Sequence, residues 1–395
     1  MEQSDAAMPS AASFGRDKHS LRAFSFSMYA TQAVLISYIP LYFMDQGFSA
    51  HQIGIIYSTG PFISIFANLM MGMASDRFRT IKKLLTILLV GQLAMLALLF
   101  PVHHFALICL VMTAFYFFQT PMNPLSDSLI LLASERIRTP YALIRIFGSL
   151  GFAVTAFLIG ILLKHIGSDW TLPIGLCTIS VTLVLSFFLK DYRGSTRKIE
   201  FSGFFQLLRK PEVLFFFFII LLVSISHRMN ESFLAVALRQ MGASDSDVGL
   251  AWLFSAVSEI PVLFLMGKYG HRFKELPLLV FACLMYMLRF WLASVLDNPF
   301  LVLSTQLMHS VTFGIYFSTA LRYLSHLIPE EYRSSGQAVY AVVWSGLAGL
   351  ISGTLGGYIF EHYGMSNFYR VGAVLALISA VLFFCQHIFA RNAGR

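Results

Sequence analysis

Few ionisable residues fall inside the apolar stretches of this chain, and their spacing suits holding and passing a proton. Such groups are costly inside a membrane and mark function by default. Asp127 and Arg145 flank a turn centred near Glu135–Arg136. Each lies about eight to ten positions from it, so the helical rise sets them at one depth, where they can pair. Asp127 follows Gln119, Asn123 and Ser126 at spacings near 3 and 4, a polar stripe along one helix face. That face calls for a water-filled cavity. Further along, His227, Arg228, Asn230 and Glu231 share one run, and His227 (i, i+4) and Arg228 (i, i+3) both face Glu231. Glu259, just before Pro261, lies about ten to thirteen residues deep, as do Arg289 and His309, which places all three near a bilayer midplane. Two carboxylates, two arginines and two histidines can then converge between helices. Desolvation raises a carboxylate's proton affinity and a neighbouring arginine lowers it, so moving the arginine between states switches the proton on and off. Imidazole titrates near neutrality unaided. The plainer alternatives are a structural Asp127–Arg145 ion pair and a buried network that only fixes helix packing.

These residues require a membrane-embedded helical frame. The chain has 395 residues, 57% of them hydrophobic and 12% charged, with a mean hydropathy of +0.71. A soluble domain carries roughly 25% charged residues, so a soluble fold is excluded. The length suits about twelve spans of about 20 residues. Apolar segments fall at about 21–44, 52–74, 83–101, 105–132, 141–163, 171–189, 213–237, 248–267, 276–296, 299–325, 336–360 and 368–390. The net charge of +8 is not a nucleic-acid footprint, because the basic residues fall in alternate loops. One set of loops holds Arg16, Lys18 and Arg22; Arg77, Arg79, Lys82 and Lys83; Arg136 and Arg138; the cluster from Lys190 to Lys210; Lys268, Arg272 and Lys274; Arg333; and Arg391 and Arg395. The other set holds Lys164, Arg239 and Arg370. The positive-inside bias therefore puts both termini in the cytoplasm, with an even number of spans. Cys109, Cys177, Cys283 and Cys385 lie in apolar segments without a Cys-x-x-Cys pair, which argues against a metal site or disulfide framework. The Ser/Ala-rich start lacks a cleavable signal pattern, and the first apolar run is read as a retained span.

The chain also repeats itself. Gly47, Ser49, Gly54, Gly72, Arg77 and Phe78 have identical partners 195 positions later, among them Gly242, Gly249, Gly267 and Arg272. A weaker repeat relates Arg138, Gly160 and His165-Ile-Gly167 to Arg333, Gly357 and His362-Tyr-Gly364. Two like halves in one orientation, in a membrane chain, are the pattern of a secondary transporter. The expected division is a tail over 1–20, a six-helix bundle over 21–189, a cytoplasmic linker over 190–212, a second bundle over 213–390 and a tail over 391–395.

Gly72-Met-Ala-Ser-Asp76-Arg77-Phe-Arg79-Thr-Ile-Lys82-Lys83 resembles the loop signature of the major facilitator superfamily, with Arg79 in place of the second glycine and His271 replacing the aspartate in the echo. The resemblance implies twelve helices in two pseudo-symmetric bundles and a conformational latch at Gly72, Asp76, Arg77, Gly267 and Arg272, made in one packing of the halves and broken in the other. The interior charges resemble the proton-symporter branch that includes lactose, nucleoside and phenylpropionate permeases. Pro124-Leu-Ser-Asp127-Ser-Leu and Tyr141-Ala-Leu-Ile-Arg145-Ile-Phe-Gly-Ser-Leu-Gly look like the latter two. By that resemblance Asp127, Arg145, Asn123 and Gln119 bind substrate, and Glu259, Arg289 and His309, with Glu231, His227 and Arg228, couple protons. The lactose-type carboxylate one turn after His309 is replaced by Thr312.

The expectation is a monomeric, proton-coupled importer in a bacterial cytoplasmic membrane, carrying a sugar, nucleoside or aromatic acid without a cofactor. Efflux by proton antiport is the alternative, weakened because the span around Gly148–Gly160 lacks the proline of drug antiporters. A membrane enzyme or receptor is remote: no Walker-type or His-Glu-x-x-His motif and no large soluble domain are present. Tyr29, Tyr38, Tyr116 and Trp344 are candidates for stacking on a ring, although packing between helices is the plainer role for each.

Overall fold

With no water to satisfy it, backbone in an apolar segment must close its hydrogen bonds within the segment, and the apolar runs of this chain accordingly form helices. The computed structural model describes residues 11–191, 210–329 and 333–393, and among them there is helix and no strand. The first half comprises α1 (Ala11–Ser37), α2 (Ile39–Asp45), α3 (Ala50–Phe78), α4 (Lys82–Leu98), α5 (Phe105–Gln119), α6 (Met122–Arg136), α7 (Ala142–Ile166) and α8 (Thr171–Phe187). The second comprises α9 (Pro211–Gln240), α10 (Asp245–Tyr269), α11 (Glu275–Val295), α12 (Pro299–Ser304), α13 (Ile315–Leu327), α14 (Arg333–Ala341) and α15 (Ala348–Ala393). A tight turn at Thr305–Met308 and a π-helical turn at Ser310–Gly314 join α12 to α13, and a second π-helical turn at Val342–Leu347 joins α14 to α15. Gly364 breaks α15 with a φ of 79°. Most of the expected linker lies outside the described residues, as do the first ten residues and the last two.

Among the described residues, 9 helical stretches are long and apolar enough to cross a membrane. Large apolar side chains such as Leu110, Phe188 and Phe264, each at least 65% exposed, face outward over these stretches. That much bare apolar surface is tolerable only against lipid.

The repeat is visible in the backbone. Gly47 and Gly242 take φ values of 86° and 87°, a region that costs glycine nothing. Each leads into a capping box, Ser49 with Gln52 and Ser244 with Asp247, that starts α3 and α10. The second repeated glycines, Gly54 and Gly249, then build the contact between halves. Gly54 packs against the backbone of Gly353 on α15, and Gly249 against that of Ala156 on α7. A side chain at either would run into a carbonyl oxygen. Beside them, Gly357 faces the carbonyl of Ala50 and Gly160 that of Asp245, so the two seams are made alike.

The seams seal one end only. There, Glu361 accepts from the backbone N–H of His51 at 2.8 Å, and Arg239 bridges Asp245 to Asp45. Towards the basic loops the halves part: Gly72 and Gly267 have nothing within 4 Å of a Cβ position, and Asp76, Arg77 and Arg272 are exposed. Gly54→Leu is expected to pry the sealed end apart. Spin labels on Phe48 and Tyr358 should report a longer distance, and an unchanged distribution would count against the seam.

Candidate functional site

In the first half the break at Thr120–Pro121 divides the expected polar stripe. Gln119 ends α5, while Asn123, Ser126 and Asp127 lie on α6. The expectation of one continuous face is corrected on that point: Ser126 is fully buried, and Gln119 turns into a small cleft with Thr31, Gln32, Gln92 and Thr182. Proline at 121 cannot donate to the preceding turn, and the frame of the helix shifts there.

Asn123 and Asp127 keep a common side. Gln32 of α1 donates to Asn123 Oδ1 at 2.7 Å. Arg145 of α7 meets Asp127 through Nε at 3.4 Å, and its guanidinium lies over the Tyr29 ring at 4.1 Å from the centroid. Arg145 and Asp127 are 28% and 38% exposed, so the pair opens into the space between the halves. Arg145 is also close enough to Glu259, across the divide on α10, to act on it electrostatically. Sequence reasoning missed Gln32, because an uncharged amide in an apolar run carries no spacing signal. Gln32→Leu leaves the half-buried Asn123 carbonyl without its donor. It is expected to raise the solute KM several-fold, about 1 kcal/mol, with kcat little changed in uptake assays.

In the second half two imidazoles are set alike. His227 Nδ1 meets the Tyr286 hydroxyl at 3.0 Å, and its Nε2 lies 3.9 Å from Glu231. His309 Nδ1 meets Arg289 Nη1 at 3.3 Å, and its Nε2 lies 3.9 Å from Glu259. Both rings stack on Phe313, at 5.1 and 5.0 Å. Arginine can only donate, so His309 Nδ1 accepts and by this assignment the ring hydrogen sits on Nε2, towards Glu259. Each gap of 3.9 Å is one water or a small rotation from a hydrogen bond.

The arginines differ in their partners. Arg228 donates to Glu231 at 2.6 Å and to the Ser345 hydroxyl at 2.8 Å, which ties α9 to the π-helical turn at Val342–Leu347. Arg289 is 1% exposed and donates to Gln306 and, at 3.2 Å, to Thr312. The structure thus brings Arg289, His309 and Glu259 into one chain, with the imidazole between arginine and carboxylate, and adds Gln306, which sequence reasoning had not singled out. Its place three residues before His309 was the available signal. Trp344 packs between Tyr316 and Tyr340, and Asn230 accepts from Tyr369.

At the basic end Asp76 and Arg77 form no ion pair among the described residues. Asp191, after α8, instead holds the turn before α4, accepting from Thr80 and from the N–H groups of Ile81 and Lys82 at 3.0 and 3.2 Å.

The sequence profile of the MFS_1 like family matches residues 19–371. The chain is 27% identical to the maltose permease of Geobacillus stearothermophilus, over 94% of this chain and 95% of that one. It is 24% identical to the probable 3-phenylpropionic acid transporter of Escherichia coli (strain K12), over 91% of this chain and 95% of the other. The crystal structure of the nucleoside transporter NupG superposes with a TM-score of 0.82 at 18% identity, covering 93% of this chain and 97% of that one.

Proposed function

The chain belongs to the MFS_1 like family, and from that premise we propose that it carries a small organic solute into the cell together with a proton, by alternating access. It is a solute transporter of the cytoplasmic membrane and not an enzyme. Sugar, nucleoside and aromatic acid are the candidate solutes, as the names of its relatives suggest.

The reading counts twelve passes. The stretches 11–45 and 82–98 each cross once, and the break at Gly364 divides the last long stretch into two. The positive-inside bias then makes the basic, open end cytoplasmic, so the arrangement described above faces inward. Two six-helix halves rock about the seams: closing the basic end requires the Gly54 and Gly249 contacts to slide apart.

One observation carries the proton-coupled reading. Asp127 and Glu231 each sit beside an arginine, whereas Glu259 has, among the described residues, only the His309 ring at 3.9 Å, which leaves it the carboxylate free to take a proton while Asp127 and Arg145 hold the solute. His309 links Glu259 to Arg289, and Arg228, held by Glu231, fastens α9 to the π-helical turn at Val342–Leu347.

The test is the pH of a lightly buffered suspension of de-energised cells. Alkalinisation on adding one solute from a panel of sugars, nucleosides and phenylpropanoid acids is the expected result. Uptake of any panel member without a pH change would sink proton coupling.

A further inference from the structure

At mid-depth one buried charge has no opposite beside it. Arg289 is 1% exposed, its Nε finds no acceptor, and its other donors go to the neutral groups of Gln306, Thr312 and His309. Among the described residues no carboxylate pairs with it. Asp127 belongs to Arg145 and Glu231 to Arg228. Glu259 alone remains to balance Arg289, and it does so at a distance, with the His309 ring between them.

The charges therefore cancel only while Glu259 is ionised. Neither histidine adds to the sum, because His309 Nδ1 accepts from an arginine and His227 lies buried against Tyr286 and Phe313. From the Pro299–Leu327 stretch His309 faces Glu259 at 3.9 Å, and Arg145 of α7 is the other charge that acts on it, at longer range. When Glu259 takes a proton, the interior gains one uncompensated positive charge. A bare charge in an apolar interior is costly, and an incoming anion that meets it is favoured for the same reason.

We infer that the solute is a monoanionic organic acid, whose carboxylate binds at Arg145 and supplies the negative charge that Glu259 gives up on protonation, and that acid and proton cross together as an electroneutral pair. This rests on the proton-coupled reading above and adds the charge of the solute to it. Arg145 meets Asp127 at 3.4 Å with the face of Tyr29 behind it, and the two are 28% and 38% exposed, so the guanidinium is within reach of a solute. On release inside, Glu259 loses its proton, the charges cancel again and the acid has no remaining counter-charge to hold it.

The experiment uses the full chain in proteoliposomes and three matched pairs: glucuronate and glucose, 3-phenylpropionate and 3-phenylpropionamide, orotidine and uridine. Luminal pH is read with a trapped dye and charge movement on a solid-supported membrane, with protein-free vesicles as the blank for permeable acids. The acid of one pair is expected to acidify the lumen without a current, at a rate indifferent to a potassium–valinomycin clamp. Its neutral partner should be about tenfold or more slower, the order expected for one unmatched charge. Protons carried with a neutral member, and an inward positive current, would overturn the inference and leave symport standing. Solute movement without luminal acidification would remove the reading on which it rests. Silence from all three acids would also overturn it. One variant bears on the same point: Thr312→Asp places a carboxylate beside Arg289 and should shift preference from the acid to its neutral partner, and an unchanged ranking in the folded variant would count against the inference.

Discussion

Glu259→Gln is expected to abolish accumulation against a gradient while solute exchange persists at a reduced rate. Glutamine has the size of a protonated glutamate and can still donate and accept a hydrogen bond, but it cannot release a proton. In the wild type each pH unit across the membrane is worth about 1.4 kcal/mol and supports about a tenfold solute gradient per proton carried. In the variant the same pH difference should support a ratio of about one. The geometry singles out this residue. Glu231 accepts from Arg228 at 2.6 Å, Asp127 faces Arg145, and Glu259 has, among the described residues, only an imidazole 3.9 Å away. It is the carboxylate with least to lose by accepting a proton here. Labelled-solute uptake into proteoliposomes, with and without an imposed pH difference, reads both quantities. Full accumulation by the variant would move the coupling site elsewhere.

Much of this arrangement is legible in the sequence, for identifiable reasons. The 195-residue repeat predicts like halves because glycines at turns and close contacts are set by the backbone; Gly47 and Gly242 share one φ, and Gly54 and Gly249 share one role. Depth counted along a helix brings Asp127 to Arg145 and His309 to Glu259, since the rise per residue is fixed. Rotation about the axis is less secure. The break at Thr120–Pro121 puts Gln119 on a different helix from Asn123 and Asp127, where periodicity assumes an unbroken one, and Gln32, beside both Gln119 and Asn123, rejoins them. The π-helical turns at Ser310–Gly314 and Val342–Leu347 leave no mark in hydropathy, yet the first carries Phe313, on which both histidines stack, and the second carries Ser345, which holds Arg228. Partners such as Gln32, Gln306 and Tyr286 come from other helices and carry no charge, so neither spacing nor cost in the membrane betrays them.

Arg145→Lys should reduce kcat/KM by roughly 10- to 150-fold, the range for losing charge-assisted hydrogen bonds worth about 1.5–3 kcal/mol. Lysine preserves the charge and loses what the site uses. A guanidinium is planar, so it lies flat on Tyr29 at 4.1 Å while its edge addresses Asp127 and the cavity. An ammonium ion on a flexible stem cannot hold those three directions together. The alternative, that Asp127 and Arg145 merely pin α6 to α7, makes a different prediction. A structural pair would show its loss in thermal stability, with the folded fraction transporting normally. Here the pair is long, at 3.4 Å, and more than a quarter exposed on both sides, conditions under which ion pairs contribute little to stability. The melting temperature of Arg145→Lys should therefore stay near that of the wild type while transport falls. Asp127→Asn, which keeps a hydrogen-bond acceptor for Arg145, should lose less. A variant that melts early but transports at the normal rate per folded molecule would return the pair to the role of a strut. Loss of transport at unchanged stability would place Arg145 in contact with the solute.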